Sequence, residues 1–207
     1  MPTLLRLLGC LPLLAAGLAS CQKSDLNAAA PMAEQVVPLR VGSTWVYRRY
    51  AFDANGTAID STTYTRSVVR DTIIDRHIWY ILSTKELVQN NHNGYVRYNP
   101  ADPEGIIVYA NAGFGGSIGY NYQYPSYSLW VLTWRSAQPA PVATSWHRYQ
   151  AIRYDIELQY LYPGQATPLI QKREEYVAPG LGLVHANYYA RETGQLQQRL
   201  ELLSFTQ

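Results

Sequence analysis

The segment from Gly115 to Gly119 has the Gly-x-Ser-x-Gly spacing of a nucleophile elbow, with Ser117 at its centre. In such an elbow a strand precedes the serine and a helix comes after it, so that the hydroxyl stands exposed on a tight turn. Asp155 and His185 come later in the order that a hydrolase would need, but the tyrosine-rich residues directly after Ser117 are not helical in pattern. A serine hydrolase using Ser117 and His185 is therefore the alternative function, and a glycine-rich loop is the favoured interpretation.

Aromatic residues are concentrated between Tyr109 and Trp134, where eight of them accompany four glycines. Flat amphipathic rings can stack on sugars or bases and can donate hydrogen bonds through their hydroxyls. The segment is predicted to be a long loop, and Tyr120, Tyr122, Tyr124 and Trp130 are its candidate ligand-binding residues. The alternative is that the loop covers one end of the fold and packs its own rings.

Other chemistry has little support in the sequence. No two of the four histidines have the spacing of metal ligands, and Glu174 and Glu175 would point to opposite faces of a strand. We therefore predict no catalytic residue, no metal ligand and no cofactor. With 17 basic and 15 acidic residues, the formal net charge is +2, which is too balanced for a nucleic-acid binder.

The N-terminal residues have the pattern of an export signal. A short basic start is followed by an apolar run from Leu7 to Leu18, which is too short to cross a bilayer as a helix. The sequence Leu18-Ala19-Ser20-Cys21 resembles the lipobox of bacterial lipoproteins, and this resemblance implies cleavage before Cys21 and lipid attachment to it. We predict a signal peptide over residues 1–20, a flexible tether over 21–38 and a single β domain over 39–207.

Alternating apolar and polar residues from Leu39 onward predict the elements that must position any site. In the clearest strand, Ile152, Tyr154, Ile156 and Leu158 alternate with polar residues, as on a strand with one buried and one solvated face. Turn dipeptides separate such runs throughout the domain, and none of the runs has helical periodicity. The prediction is an antiparallel meander of about 9–11 strands. Such a long sheet must curl, either as a curved half-barrel like envelope lipoprotein carriers or as a closed lipocalin-like barrel, and either form could hold an apolar ligand.

Two motifs resemble those of Bacteroidetes outer-membrane lipoproteins that have no assigned activity. Pro38 to Tyr47 follows the pattern P-L-x-V-G-x-x-W-x-Y, and Pro179 to Val184 follows P-G-x-G-L-V. The resemblance implies a shared fold and an envelope location, but no activity. Gln22, and not an aspartate, follows Cys21, which favours the outer membrane, on its periplasmic face or at the cell surface. We expect the motif glycines to lie at sharp turns into strands and Trp45 to anchor the core.

The sequence thus predicts a lipid-anchored protein of the cell envelope, most simply a non-catalytic binding or accessory module. The expected partners are the membrane, through lipidated Cys21, and a glycan, a lipid or another envelope protein. A nucleic acid is not expected.

Overall fold

The chain is all-β. The computed structural model describes residues 35–112 and 116–207, and within these ranges it contains thirteen strands and no helix. No helix of this part of the chain is long and apolar enough to cross a membrane. The strands are β1 (Thr44–Phe52), β2 (Ala58–Ile74), β3 (His77–Leu82), β4 (Leu87–Asn91), β5 (Gly94–Asn99), β6 (Asp102–Ala110), β7 (Ser117–Tyr124), β8 (Tyr127–Arg135), β9 (Ala140–Ala143), β10 (Arg148–Leu161), β11 (Leu169–Ala178), β12 (Gly182–Tyr189) and β13 (Leu196–Thr206).

All thirteen strands belong to one antiparallel sheet that curls into a nearly closed barrel. The order is β6-β5-β4-β3-β2-β1-β13-β12-β11-β10-β8-β7, with β9 attached to β10. At the two ends of this order, the Ile107 backbone N–H on β6 donates a 2.7 Å hydrogen bond to the hydroxyl of Tyr120 on β7. No backbone ladder joins β6 to β7 in the described residues, so one seam is unsealed. The architecture lies between the two predicted forms, a half-barrel and a closed barrel.

The long strand β2 is shared between two parts of the sheet. Residues 58–67 pair with β1, whereas only residues 68–74 pair with β3, with a register shift between Val68 and Arg70. The turn into β3 is made by Asp75 and Arg76, both with positive φ, as the sequence predicted for a turn at these residues.

The alternation predicted for β10 is confirmed. Ile152, Tyr154, Ile156 and Leu158 are buried, and the residues between them are half-buried or exposed. Residues directly opposite each other on neighbouring strands share a face of the sheet. The inner and outer faces can therefore be followed from β10 across all its neighbours.

The residues before β1 pack onto the sheet. Val37 and Leu39 are buried in the core beside Trp45, whose indole N–H donates to the Leu181 carbonyl oxygen. A Cβ on Gly182, where φ is +87°, would lie 3.2 Å from a Val37 methyl group. These contacts confirm the expected roles of Trp45 and of the glycine turns. Residues 35–38, the last of the predicted tether, thus contact the domain, and the rest of that segment lies outside the described residues.

Side chains fill the interior next to Trp45. Arg66 donates hydrogen bonds there to Glu86 (3.0 Å) and to the Tyr95 hydroxyl (3.3 Å). The free space among Trp45, Arg66 and Tyr95 is only about 10 Å³, close to the minimum for one water molecule. An apolar ligand has no room in this part of the barrel.

The predicted loop between Tyr109 and Trp134 is for the most part a hairpin. Residues 117–124 form β7 and residues 127–135 form β8, and the two strands pair over their whole length. The prediction of a loop was wrong because the glycines were given too much weight. Of the described glycines in this segment, only Gly119 lies within a strand, where the Leu132 side chain packs 3.3 Å from the position its Cβ would take.

Candidate ligand-binding site

The structure does not assemble the alternative hydrolase site. Ser117 is the first residue of β7, so the serine opens a strand and does not lead into a helix. His185 lies on β12, and β8, β10 and β11 separate the two strands. At about 4.8 Å per strand this is roughly 19 Å along the sheet, far beyond hydrogen-bond reach. The elbow prediction fails because Ser117 begins a regular strand and has no base beside it.

The four candidate ligand-binding residues lie on two different faces. Tyr120 and Tyr122 lie opposite Val131 and Leu129, whereas Trp130 lies opposite Asn121. Tyr120, Tyr122 and Tyr124 therefore point inward, and Trp130 points outward. The predicted set is not one site, since alternation along paired strands separates Trp130 from the three tyrosines.

The inward tyrosines continue into a cluster of rings. The ring of Tyr124 stacks on that of Tyr127 at 4.7 Å, and Tyr127 contacts the rings of Tyr160 and Tyr162. The Arg191 guanidinium lies 5.2 Å from the centre of the Tyr160 ring and donates to the Tyr162 hydroxyl. These rings and the cation satisfy one another, so packing accounts for the cluster.

An open groove of about 580 Å³ lies on the outer face of the sheet. Its floor follows one row of cross-strand neighbours: Trp134 on β8 lies opposite Asp155 on β10, which lies opposite Glu174 on β11. The turn from β12 to β13 forms the far wall, with Tyr189 at its base. This volume is typical of ligand sites, and its floor is charged and aromatic rather than uniformly apolar.

Arg153 holds the two carboxylates of the floor in place. Its Nε donates to Asp155 at 2.8 Å, and its Nη2 donates to Glu174 Oε1 at 3.0 Å. The other Glu174 oxygen accepts a 3.2 Å hydrogen bond from the Asn187 amide. Because one guanidinium binds both carboxylates, they form a fixed polar surface rather than a proton donor and a base.

Two tyrosine hydroxyls border the same carboxylates. Burial, and then the nearby Glu174 carboxylate, raise the pKa of Tyr189 to about 12. Burial also raises the pKa of Tyr176, again with a contribution from Glu174. Both hydroxyls therefore stay protonated at neutral pH, as neutral groups that can donate or accept a hydrogen bond.

Two exposed tryptophans mark this face. Trp134, at the edge of the groove, is 39% exposed, and Trp130 on the same strand is 45% exposed. Four strand residues separate their positions by about 13 Å, and both point outward. Large apolar side chains left in solvent beside a polar groove are a signal of ligand binding.

The sequence contained part of this site. Arg153 and Asp155 were assigned to the solvated face of β10, which the structure confirms, but they were not chosen as site residues. Trp134 belonged to the aromatic segment and was not singled out from it. Its pairing with Asp155 depends on β8 lying next to β10, and local alternation does not reveal strand order.

Cys21, the predicted lipidation site, lies outside the described residues. Within the described residues there is no group of three or more histidine, cysteine, aspartate or glutamate side chains that could hold a metal ion.

No known protein family and no curated protein sequence matches the chain. Two solved structures are similar to it at low identity. One is a protein from Parabacteroides distasonis ATCC 8503, provisionally assigned as a lipoprotein, with 14% identity, a TM-score of 0.46 and coverage of 84% of this chain and 99% of that one. The other is a provisionally assigned exported protein with a YmcC-like fold from Bacteroides fragilis NCTC 9343, with 12% identity, a TM-score of 0.44 and coverage of 83% and 98%. The function therefore has to be inferred from this chain's own residues.

Proposed function

We propose that the protein is a lipid-anchored, non-catalytic module of the cell envelope that binds a glycan in its outer groove. The observation that carries the proposal is the exposed Trp134 ring directly beside the Arg153–Asp155–Glu174 network. A sugar ring presents an apolar face of C–H groups that can stack on an indole, and hydroxyls that need both donors and acceptors. Here the carboxylates accept, the guanidinium donates and the Tyr189 hydroxyl can do either.

The charged side chains of the groove favour a glycan over a lipid as its ligand. A lipid chain seated here would cover the charged groups of Lys172, Glu157 and the Arg153 network without replacing their solvation, whereas sugar hydroxyls can hydrogen-bond to them. The second tryptophan favours a chain of several sugar rings, because one ring cannot reach over about 13 Å from Trp134 to Trp130. Location in the envelope is supported by the export signal and the lipobox that ends at Cys21. We place the protein at the outer membrane because Gln22, and not an aspartate, follows Cys21.

Affinity electrophoresis of the full chain, purified in detergent, through gels that contain bacterial envelope polysaccharides tests the proposal. We expect retardation by at least one polysaccharide and a loss of about tenfold or more in affinity for Trp134→Ala, since a stacked aromatic ring contributes about 1–3 kcal/mol when its partner is a nucleobase. Trp146→Ala is the matched control, because this indole is also exposed but lies beside Arg48, away from the groove. Absence of retardation, or equal loss in both variants, would overturn the proposal.

The same gels address the hydrolase alternative. Ser117→Ala should migrate like the parent, and neither should shorten the polysaccharide. Shortening by the parent that is lost in Ser117→Ala would contradict a non-catalytic role.

A further inference from the structure

One edge of the first half of β2 has no strand beside it. Residues 58–67 pair with β1 on one side, and on the other side β3 begins to pair only at Val68. In the described part of the chain no strand pairs with the free edge of residues 58–66. Residues 58–65 are all exposed, so this row of backbone groups faces solvent.

From Ser61 to Thr65 this edge lacks the charges and bulges that usually protect edge strands. It contains no proline and no lysine, and its register with β1 is regular from Ser61 to Arg66. It also presents apolar surface, because Ile59 is 64% exposed and Tyr64 is 38% exposed. A long and regular free edge with apolar side chains is a template for another strand.

The sequence of the edge is compatible with a second copy of itself. In an antiparallel pair the N–H and C=O groups of two opposed residues either both face the partner strand or both face away from it, so two identical strands must pair symmetrically about one residue. Pairing about Thr63 sets Ser61 opposite Thr65 and Asp60 opposite Arg66 of the second copy. Hydroxyl residues then face one another, and the charged residues meet with opposite sign.

Arg66 can take part in this pairing without leaving its own partners. Its Nη2 donates to Glu86 at 3.0 Å and to the Tyr95 hydroxyl at 3.3 Å, and the side chain is 23% exposed. A guanidinium has five N–H donors, so the donors on Nε and Nη1 can reach toward a carboxylate of the second copy. We propose that the protein forms a symmetric dimer in which the β2 edges of two copies pair antiparallel about Thr63. This inference is independent of the proposed glycan site, which lies on another part of the sheet.

Cysteine crosslinking of the full chain in membranes tests the pairing. The only cysteines of the chain are Cys10 and Cys21, so Thr63→Cys introduces a single thiol into the domain. We expect a short bismaleimide to join two copies through Thr63→Cys. Thr167→Cys, at an exposed loop residue, and the parent chain are the controls. Equal crosslinking in Thr63→Cys and Thr167→Cys, or no crosslinking of Thr63→Cys, would overturn the dimer.

A charge at Thr63, the residue about which the two copies are proposed to pair, gives a second test. Thr63→Lys sets two ammonium groups opposite each other, and directly opposed like charges destabilise a strand pair. In sedimentation equilibrium of the detergent-purified chain, we expect the dimer dissociation constant to rise at least about threefold, while Thr167→Lys leaves it unchanged. A parent that is monomeric at every concentration, or a Thr63→Lys chain that associates like the parent, would refute the proposal.

Discussion

The Tyr109 hydroxyl on β6 donates a 2.7 Å hydrogen bond to Oε2 of Glu175 on β11. These strands are far apart in the order of the sheet, and the bond crosses the barrel interior between them. Glu175 is only 6% exposed, and the nearest cation, Arg173, is 3.9 Å from its other oxygen. The tyrosine therefore supplies the short hydrogen bond of a buried carboxylate and links the two sides of the barrel.

Tyr109→Phe should lower the free energy of unfolding by about 1–3 kcal/mol, because it leaves the buried Glu175 carboxylate without this donor. Urea denaturation followed by tryptophan fluorescence measures the loss. Tyr124→Phe, which removes the hydroxyl of an exposed tyrosine, should change the free energy by less than about 0.5 kcal/mol. Similar values for both variants would show that the buried bond contributes little.

The Tyr109–Glu175 bond also shows where sequence reasoning stopped. Alternation correctly placed Glu174 and Glu175 on opposite faces of β11, and it correctly separated the two faces of β10. Nothing local indicated that β6 faces β11, because that contact depends on how the whole sheet curls. The outer groove was missed for the same reason, since it requires the neighbouring order of β8, β10 and β11.

The β7–β8 hairpin was missed for a different reason. Ile118, Tyr120, Tyr122 and Tyr124 alternate as a strand should, but the preceding glycines suggested a loop. Pairing with β8 provides the contacts that override the weak strand preference of Gly119, the one described glycine of this segment that lies within β7.

Buried His185 should make stability depend on pH. Burial, and then the positive charge of Arg199, lower the pKa of His185, although Glu201, Asn187 and Glu174 act in the opposite direction. The unfolded chain therefore takes up a proton near pH 6.5, whereas the folded chain does so only at lower pH. The free energy of unfolding should therefore fall as the pH decreases through 6.5. The contribution of His185 should become constant below the pKa that this histidine has in the folded chain.

Replacement by a side chain that does not titrate isolates this effect. The curve of unfolding free energy against pH, measured by urea denaturation between pH 7.5 and 5, should be flatter for His185→Gln than for the parent. Parallel curves would show that other groups cause the pH dependence.

Neighbouring residues of β10 should differ sharply in their tolerance of substitution. Ile156→Asp places an unpaired charge on the buried face and should cost several kcal/mol. Asp155→Ala removes a half-exposed carboxylate from an ion pair with Arg153, and about 1 kcal/mol or less should be lost. Thermal unfolding of the two variants provides the comparison, and equal losses would contradict the assignment of inner and outer faces.

Cys21→Ser should block maturation of the chain. A lipoprotein signal peptidase requires the cysteine of the lipobox, so the variant should accumulate at precursor size and leave the membrane-anchored pool. Immunoblots of fractionated cells, with and without globomycin, measure this. Cys10→Ser is the control, because Cys10 lies within the predicted signal peptide, and it should mature normally. Normal processing of Cys21→Ser would exclude the lipid anchor.

The seam of the barrel should depend on a single side chain. Between β6 and β7 the Tyr120 hydroxyl accepts the Ile107 N–H, at a place where neighbouring strands elsewhere in the sheet are joined by backbone ladders. Tyr120→Phe should accelerate hydrogen exchange of the Ile107 amide by roughly fivefold or more, since a net hydrogen bond contributes about 1 kcal/mol. Tyr122→Phe, two residues further along β7 on the same face, should leave that exchange unchanged, because the Tyr120 hydroxyl still accepts the Ile107 N–H. If Ile107 stays equally protected in Tyr120→Phe, then packing across the seam rather than this bond holds β6 against β7, and the barrel is closed by its side chains.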